Sequence, residues 1–262
     1  MPEGHTLHRL ARQLDERFAG RPVAVSSPQG RFEAGAALVD GRRLDEVTAH
    51  GKHLFASFGD HVVHVHLGLY GKVSEGPAPV PAPWGALRMR WTNEDWWSDL
   101  RGATACEVVT HDEAAAIVAR LGPDPLARRP DGAGSWRRIS RSRAPIGVLL
   151  MDQSVIAGVG NVYRAEVLFR QRRSPFDEGR TLSEEEWHRM WADIVALMRD
   201  GVRRGRIVTT RAEDRPRGRV RGEDAHYVYR RAALACRICD TPIAASLMAT
   251  RNLFWCPTCQ CR

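Results

Sequence analysis

The sequence predicts an α+β chain: a β-rich N-terminal domain with flanking helices, read as a sandwich, then a helical domain that ends in a metal-binding β-hairpin. Three observations carry this reading. Short apolar runs that alternate with polar residues recur between Val23 and Val109, the period of half-buried strands. Apolar stripes at helical spacing take over from Ile146 to Gly201. Near the C-terminus, Cys236-x2-Cys239 and Cys256-x2-Cys259 stand sixteen residues apart, a spacing typical of zinc sites.

At 262 residues, with 43% hydrophobic and 27% charged side chains, the chain is long enough for two domains that each bury a core. The expected divisions are a β domain over 1–121, a linker over 122–135, a helical domain with a basic loop over 136–225 and a zinc finger over 226–262. Gly122-Pro123-Asp124-Pro125 and the loop-like Arg128 to Gly134 mark that linker. No apolar run approaches membrane-spanning length, and the first residues lack the basic-then-apolar plan of a secretory signal. A cytosolic protein with no membrane role is the expectation. The net charge of +8 points to a polyanionic partner, although arginine abundance alone is discounted because a GC-rich coding background also produces it. In a cytosolic chain the six cysteines point to metal rather than to disulfides.

The chain opens Met1-Pro2-Glu3-Gly4-His5-Thr6-Leu7. A small second residue favours removal of the initiator methionine, which leaves Pro2 as a secondary amine beside a carboxylate. An α-amine titrates near about pH 8, so a useful fraction is uncharged and able to attack an electrophilic carbon such as a sugar C1′. Glu3 is placed to move the protons that iminium formation requires. Leu7, Leu10, Ala11, Leu14 and Phe18 recur at helical spacing and Gly20 supplies a stop. The positive end of that helix favours ionised Glu3 and attracts phosphate. Taken alone, Met-Pro is also an ordinary way to begin a protein.

Strands are expected at Val23–Val25, Leu44–Val47 and Leu54–Phe58, with Gly51-Lys52-His53 as a turn before the third. A lysine there is ordinarily solvated; it gains a role if the turn faces Pro2. Val63, Val65 and Leu67 alternate with His64 and His66, whose imidazoles are expected to face solvent. In Gly68-Leu69-Tyr70-Gly71 the apolar pair is either a core plug or an exposed wedge, with the plug slightly favoured. Gly76 to Pro83 reads as a loop, and Leu87, Met89 and Trp91, Trp96 to Gly102 and Thr104 to Val109 complete the β domain. Its tryptophans are expected in the core rather than as base-stacking platforms. A short helix follows from Asp112 to Leu121.

In the second half, Ile146 to Met151 is apolar and Ala157-Gly158-Val159-Gly160-Asn161 breaks it. Val162, Ala165, Leu168 and Phe169 then resume a helical stripe. A glycine-rich turn at a helix start presents backbone N–H groups to phosphate, with Asn161 as an added donor. Ser183 and Glu186 form a capping box for a long amphipathic helix closed at Gly201. Arg203 to Arg231 reads as a mobile basic loop, solvated or clamping nucleic acid. Cys236, Cys239, Cys256 and Cys259 offer four thiolates to one structural Zn²⁺. Cys261 could replace Cys259, but the regular spacing leaves Cys106 and Cys261 as non-ligands. Arg251 and Asn252 fall on the hairpin between the pairs, placed to grip a phosphate.

In this order the pieces resemble the formamidopyrimidine-DNA glycosylase and endonuclease VIII family. The matching residues are Pro2-Glu3-Gly4, Gly51-Lys52-His53-Leu54, Asp152-Gln153 through Gly158-Val159-Gly160-Asn161-Val162-Tyr163, Val228-Tyr229, and the cysteine ribbon with Arg251 five residues before Cys256. The resemblance implies a β-sandwich catalytic domain and a helix-two-turn-helix domain with a zinc finger, holding damaged double-stranded DNA in the cleft between them. Single-stranded or bubble DNA is a further expected partner, and the protein is expected to act as a monomer. Pro2 would be the Schiff-base nucleophile, Glu3 the acid/base residue and Lys52 a second acid and phosphate contact. Asn161 and Arg251 would clamp the lesion phosphate, and Leu69 or Tyr70 would fill the gap left by a flipped base. Thr6 and Gly147 stand where the formamidopyrimidine branch has an acid and a lysine, so the chain looks closer to the endonuclease VIII branch. Gly68 stands where that branch has glutamine, and Arg230 where the family commonly has glycine.

The leading expectation is a bifunctional DNA glycosylase and AP lyase acting on oxidised bases, pyrimidines before purines, by β and then δ elimination. The rival is a non-catalytic damage- or structure-specific DNA-binding protein on the same fold, which has no need of Pro2, Glu3 and Lys52 together. A zinc-ribbon RNA-binding protein accounts for the charge and cysteines but not for the N-terminus.

Overall fold

The computed structural model describes residues 2–261. Met1, whose removal the sequence predicts, lies outside them. The chain divides into two units, one ending at Arg120 and one beginning at Leu121.

The first unit opens with helix α1 (Gly4–Phe18), whose buried residues Leu7, Leu10, Ala11, Leu14 and Phe18 are those the helical period selects. Strand β1 (Ala24–Ser26) and helix α2 (Glu33–Val39) precede β2 (Glu46–His50), β3 (His53–Phe58) and β4 (His61–His66). Strands β5 (Lys72–Pro77), β6 (Leu87–Thr92), β7 (Trp96–Arg101) and β8 (Ala105–Val109) follow, then helix α3 (His111–Ala119). These strands form two antiparallel four-stranded sheets, ordered β1-β6-β7-β5 and β2-β3-β4-β8. One apolar cluster joins them, with Val25, Met89, Trp91 and Leu100 from the first sheet and Leu54, Ala56, Phe58, Val63 and Val65 from the second. It is a sandwich, as expected. Trp91 is its largest member, edge-on to both Phe18 and Phe58, an arrangement that suits the ring quadrupole. Trp96 and Trp97 are only half-buried, and Arg17 covers the Trp96 ring at 4.2 Å.

The first sheet carries a charged triad in its interior. Asp99 is fully buried and accepts from Arg90 Nε at 2.6 Å, Arg90 Nη2 at 2.8 Å and Arg101 Nη2 at 2.8 Å. The Asp99 hydrogen bond raises the Arg90 guanidinium above its ordinary value against the opposing effect of burial.

The second unit contains α4 (Ala133–Ile139), α5 (Ile146–Leu149), α6 (Asn161–Arg170) and α7 (Glu184–Arg204), then the hairpin β9 (Ala244–Met248) and β10 (Arg251–Trp255). One apolar cluster spans Ile139, Ile146, Ile156, Tyr163, Leu168, Trp187 and Ile194; a second joins Phe169 and Val162 of α6 to Tyr227, Val228, Phe254 and two of the cysteines. Among the described residues no helix is long and apolar enough to cross a membrane.

Three features depart from the sequence reading. Residues 122–135 are not a free linker: Gly122 N donates to Gln153 O, Gly132 O accepts from Trp187 Nε1, and α4 begins inside the segment. Helix α7 runs past Gly201, which is buried within it, and ends only where Gly205 supplies the left-handed backbone (φ +70) that closes the helix. The capping box of Ser183 and Glu186 at its start is as expected. Helices α2 and α4, seven residues each, have too few turns to reveal a period.

Replacing Asp99 with alanine is expected to cost about 3–5 kcal/mol, because it leaves the buried Arg90 guanidinium uncompensated. The check is the urea midpoint followed by tryptophan emission, and an unchanged midpoint would refute the role assigned to the triad.

Candidate functional site

In the first unit, Pro2 and Glu3 stand immediately before α1. Glu3 is its N-cap, fully buried, in extended conformation and with no side-chain capping bond. Its backbone carbonyl accepts from Thr6 N at 2.8 Å. A buried carboxylate at the positive end of a fifteen-residue helix is favourably placed as an anion. Burial lowers the neighbouring His5 to about 4, so it stays neutral near pH 7. The last turn of α1 is pinned to β2 by Val47 N, which donates to Asp15 Oδ1 at 2.8 Å. Helix α1 packs along β2 and β3, and a two-residue turn of Gly51 and Lys52 joins those strands. Gly51 takes φ +56 in that two-residue turn, as the first central residue of a type II′ hairpin must, and Lys52 follows it, half-buried.

His64, expected to face solvent, is instead 4% exposed. It sits in a row of polar rings on the face of β3 and β4 that points away from the sandwich core. His53, Phe55 and His64 stack there with ring centroids 5.1 to 6.3 Å apart. At the end of β4, Leu69 is 43% and Tyr70 83% exposed, which overturns the plug reading. The turn that raises them is tight. Gly68 has φ +65, and a Cβ there would lie 1.9 Å from Thr104 Oγ1; a Cβ on Gly71 would lie 2.3 Å from Leu67 O. Glutamine therefore has no room at position 68.

In the second unit, Gln153 staples the turn that precedes α6. Its amide donates to Met151 O and Val159 O and accepts from Gly158 N, which explains the Asp152-Gln153 and Gly158-Val159-Gly160 pattern. Asn161 begins α6 and is 4% exposed. Its Nδ2 donates to Asn252 O at 2.9 Å and its Oδ1 accepts from Arg164. Arg164, fully buried, also donates to Gly147 O and Met248 O, so it ties α5, α6 and the β9–β10 hairpin together. At Gly147 a Cβ would approach Met248 Sδ to 2.8 Å and Pro175 O to 2.9 Å; a lysine cannot occupy this position in this packing.

Glu166 is the other buried charge of α6. Its carboxylate accepts from three successive backbone N–H groups, Tyr227 (2.7 Å), Val228 (2.8 Å) and Tyr229 (2.7 Å), and from the Thr209 hydroxyl. Sequence reasoning missed both Arg164 and Glu166. The helical stripe put both on a polar face, and only the burial of α6 from Asn161 to Phe169 shows that they must be paired. Arg230, where the resemblance leads one to expect glycine, takes φ +58, the left-handed region that glycine prefers, and its guanidinium lies 5.5 Å from the Tyr229 ring centre.

The basic segment after α7 is anchored at its base. Arg206 donates to Val220 O, Arg215 to Thr210 O, and Arg211 N to Tyr227 Oη, while Arg217, Arg219 and Arg221 remain exposed.

The four cysteines form one cluster, all Sγ atoms within 4.8 Å of one another. Cys239 Sγ lies 3.5 Å from Cys256 Sγ and 3.4 Å from Cys259 Sγ, and Cys236 Sγ lies 3.9 Å from Cys259 Sγ. Four thiolates around a tetrahedral ion at about 2.3 Å stand about 3.8 Å apart, so the cluster fits a metal ion. Hydrogen bonding with Thr241 lowers Cys239 to about 6, whereas burial pushes Cys256 and Cys259 up. Cys106 is buried against Met89, its thiol pushed up to about 12 by burial, and Cys261 is exposed outside the cluster. Arg251, half-buried, opens β10 at the far end of the hairpin.

Residues 1–106 match the model of the formamidopyrimidine-DNA glycosylase N-terminal domain, and residues 121–213 match the formamidopyrimidine-DNA glycosylase H2TH domain. The protein named Endonuclease 8 1 from Mycobacterium tuberculosis is 51% identical over 275 residues, covering 99% of this chain and 100% of that protein. The formamidopyrimidine-DNA glycosylase of Thermus thermophilus is 34% identical over 264 residues, with 99% and 97% covered. Among solved structures, Lactococcus lactis formamidopyrimidine-DNA glycosylase bound to DNA with an AP site superposes with a TM-score of 0.82 at 21% identity, over 99% of this chain and 100% of that one. The same Lactococcus lactis protein in complex with oxidised-pyrimidine DNA gives 0.83 at 21% identity, with both chains fully covered.

Substituting Glu166 with glutamine turns an acceptor of three backbone N–H bonds partly into a donor facing donors. The expected loss is about 3–5 kcal/mol, read as a lower unfolding midpoint and as loss of amide-exchange protection at Tyr227, Val228 and Tyr229. Unchanged protection there would show that the carboxylate does not hold the segment.

Proposed function

Since the chain belongs to the formamidopyrimidine-DNA glycosylase and endonuclease VIII family of DNA-repair proteins, we propose that it is a bifunctional DNA glycosylase and AP lyase of base-excision repair. The observation that carries the catalytic reading is the buried Glu3 at the head of α1, next to Pro2. Binding to DNA alone gives no reason to bury a carboxylate beside an imino acid at the chain start.

In this reading Pro2, freed of Met1, attacks the sugar C1′ as a secondary amine; the damaged base departs and an iminium remains. Glu3 supplies and removes the protons of ring opening and base release. Loss of the C2′ proton expels the 3′ phosphate, and a second elimination expels the 5′ phosphate, with Lys52 as the second acid and a phosphate contact. Asn161 and Arg251 contact phosphate, and Leu69 or Tyr70 enters the stack left by the flipped base.

Oxidised pyrimidines are the preferred lesions in this proposal. The full-length similarity to Endonuclease 8 1 supports it, as does the absence of room for a lysine at Gly147. The resident ion is Zn²⁺, which holds the ribbon that carries Arg251; four thiolates at these separations suit it. The protein acts as a monomer on double-stranded DNA, with single-stranded and bubble DNA as further substrates.

Sodium borohydride added to demethionylated protein and abasic-site DNA should give a covalent complex that maps to Pro2 by mass spectrometry. Glu3→Gln should block release of an intact damaged base while keeping some trapping on a pre-formed abasic site. If zinc-replete protein never crosslinks, Pro2 is not the nucleophile and the DNA-binding alternative replaces this reading. In side-by-side single-turnover assays, thymine glycol or dihydrouracil should be excised faster than 8-oxoguanine opposite cytosine; the reverse order reassigns the branch.

Metal analysis should find one zinc per chain. Cys256→Ser should release it and weaken binding to undamaged duplex, and that binding should itself weaken steeply with salt in the wild type. Metal-free wild-type protein with an intact ribbon would remove the zinc assignment.

A further inference from the structure

The geometry points to a relay: Glu107, His64 and His53 form a hydrogen-bonded chain that locks His53 as an acceptor at Nε2 and makes it a positioning residue for the Lys52 turn. This rests on the catalytic reading of Lys52 given above.

The three groups stand on three neighbouring strands. In the β4–β8 register His64 faces Glu107, and in the β3–β4 register it faces Phe55, two residues after His53. His64 Nδ1 lies 2.9 Å from Glu107 Oε1, and His64 Nε2 lies 2.9 Å from His53 Nδ1. The two imidazoles are within 13° of parallel, and Phe55 stacks on both. The carboxylate is the solvent end, its side chain 54% exposed, while the His64 side chain is 5% exposed.

The chemistry of the groups sets the direction. An ionised carboxylate only accepts, so His64 Nδ1 carries the proton. In the relay His64 keeps its one proton at Nδ1, so its lone pair lies at Nε2 and His53 donates to it from Nδ1. His53 is left with a lone pair at Nε2, as a carboxylate fixes the tautomer of a histidine elsewhere in enzymes. This tautomer is the opposite of the one that free imidazole side chains favour.

His53 belongs to the strand row His50, His53, His66 that borders the Gly51-Lys52 turn. The charged and titratable groups that act on it are His50 from β2, His64 and His66 from β4 and Arg120 after α3; Lys52 acts on His66. Burial first, and these positive neighbours after it, hold His53 down to about 3. It stays neutral throughout the range in which most histidines titrate. The relay thus puts a neutral acceptor on the residue that closes the Gly51-Lys52 turn opposite His50, in the row where Lys52 acts on His66. With the other tautomer the lone pair of His53 Nδ1 would face the lone pair of His64 Nε2.

Two measurements on the full-length, zinc-loaded protein test this. Long-range ¹⁵N–¹H spectra from about pH 5 to about pH 8 should show both His53 and His64 as Nδ1–H tautomers without titration of His53, and Glu107→Gln should return His53 toward Nε2–H. A wild-type His53 protonated at Nε2, a doubly protonated His64, or a tautomer indifferent to Glu107→Gln overturns the relay. Single-turnover cleavage of abasic-site DNA should slow about tenfold in both Glu107→Gln and His53→Phe, with borohydride trapping at Pro2 unchanged. Variants that lose the tautomer but cleave like the wild type overturn the positioning role. If the wild type itself neither traps nor cleaves, the catalytic reading fails, and with it the positioning role, while the spectra still decide the relay.

Discussion

The second unit depends on the carboxylate of Glu166. It is fully buried, and it is made tolerable there by three consecutive backbone N–H groups and a threonine hydroxyl. Two oxygens that accept four bonds leave little of the desolvation cost uncompensated. The geometry also works in reverse: the backbone from Tyr227 to Tyr229 has no sheet to join, and the carboxylate supplies the acceptors its N–H groups need. Two residues earlier on the same helix, Arg164 does the complementary task for carbonyl oxygens of α5 and β9. Helix α6 therefore organises its surroundings with one anion and one cation, and Asn161, held by Arg164 on one side and by the Asn252 carbonyl on the other, takes its orientation from both.

The first unit is organised by apolar packing, and this is why it was legible. Alternation along β3, β4 and β6 reports a two-sided sheet directly, and the helical stripe of α1 selects its buried face residue by residue. The N-terminal pair, the Lys52 turn and the cysteine spacing were legible for another reason: each is a local pattern whose chemistry follows from residue type and separation. Where the structure adds something, it concerns pairs remote in sequence. His64 and Glu107 are 43 positions apart, and only the strand register brings them together. Alternation suggested a solvent-facing His64; it is buried because Phe55 and His53 cover it, which no strand period reports.

Backbone demands explain the remaining differences. Gly201 looked like a helix stop, but glycine ends a helix only where the chain turns left-handed, and that happens at Gly205. The Pro- and Gly-rich start of the second unit looked like a linker, yet its carbonyls and N–H groups are used by Trp187 and Gln153. Composition reports flexibility of the isolated segment and not the partners that await it.

The β9–β10 hairpin joins Met248 to Arg251 through Ala249 and Thr250, both at positive φ (51° and 61°). Residues with a Cβ resist that conformation by about 1–2 kcal/mol each, so the tip does not set its own register as an Asn-Gly turn would. Register comes instead from contacts along the strands: Arg164 holds Met248 O, Asn161 holds Asn252 O, Leu253 and Phe254 are buried, and Cys256 closes β10 in the thiol cluster. A change at the cysteine cluster therefore reaches Arg251 only through the length of β10, and the contacts from α6 stand between them.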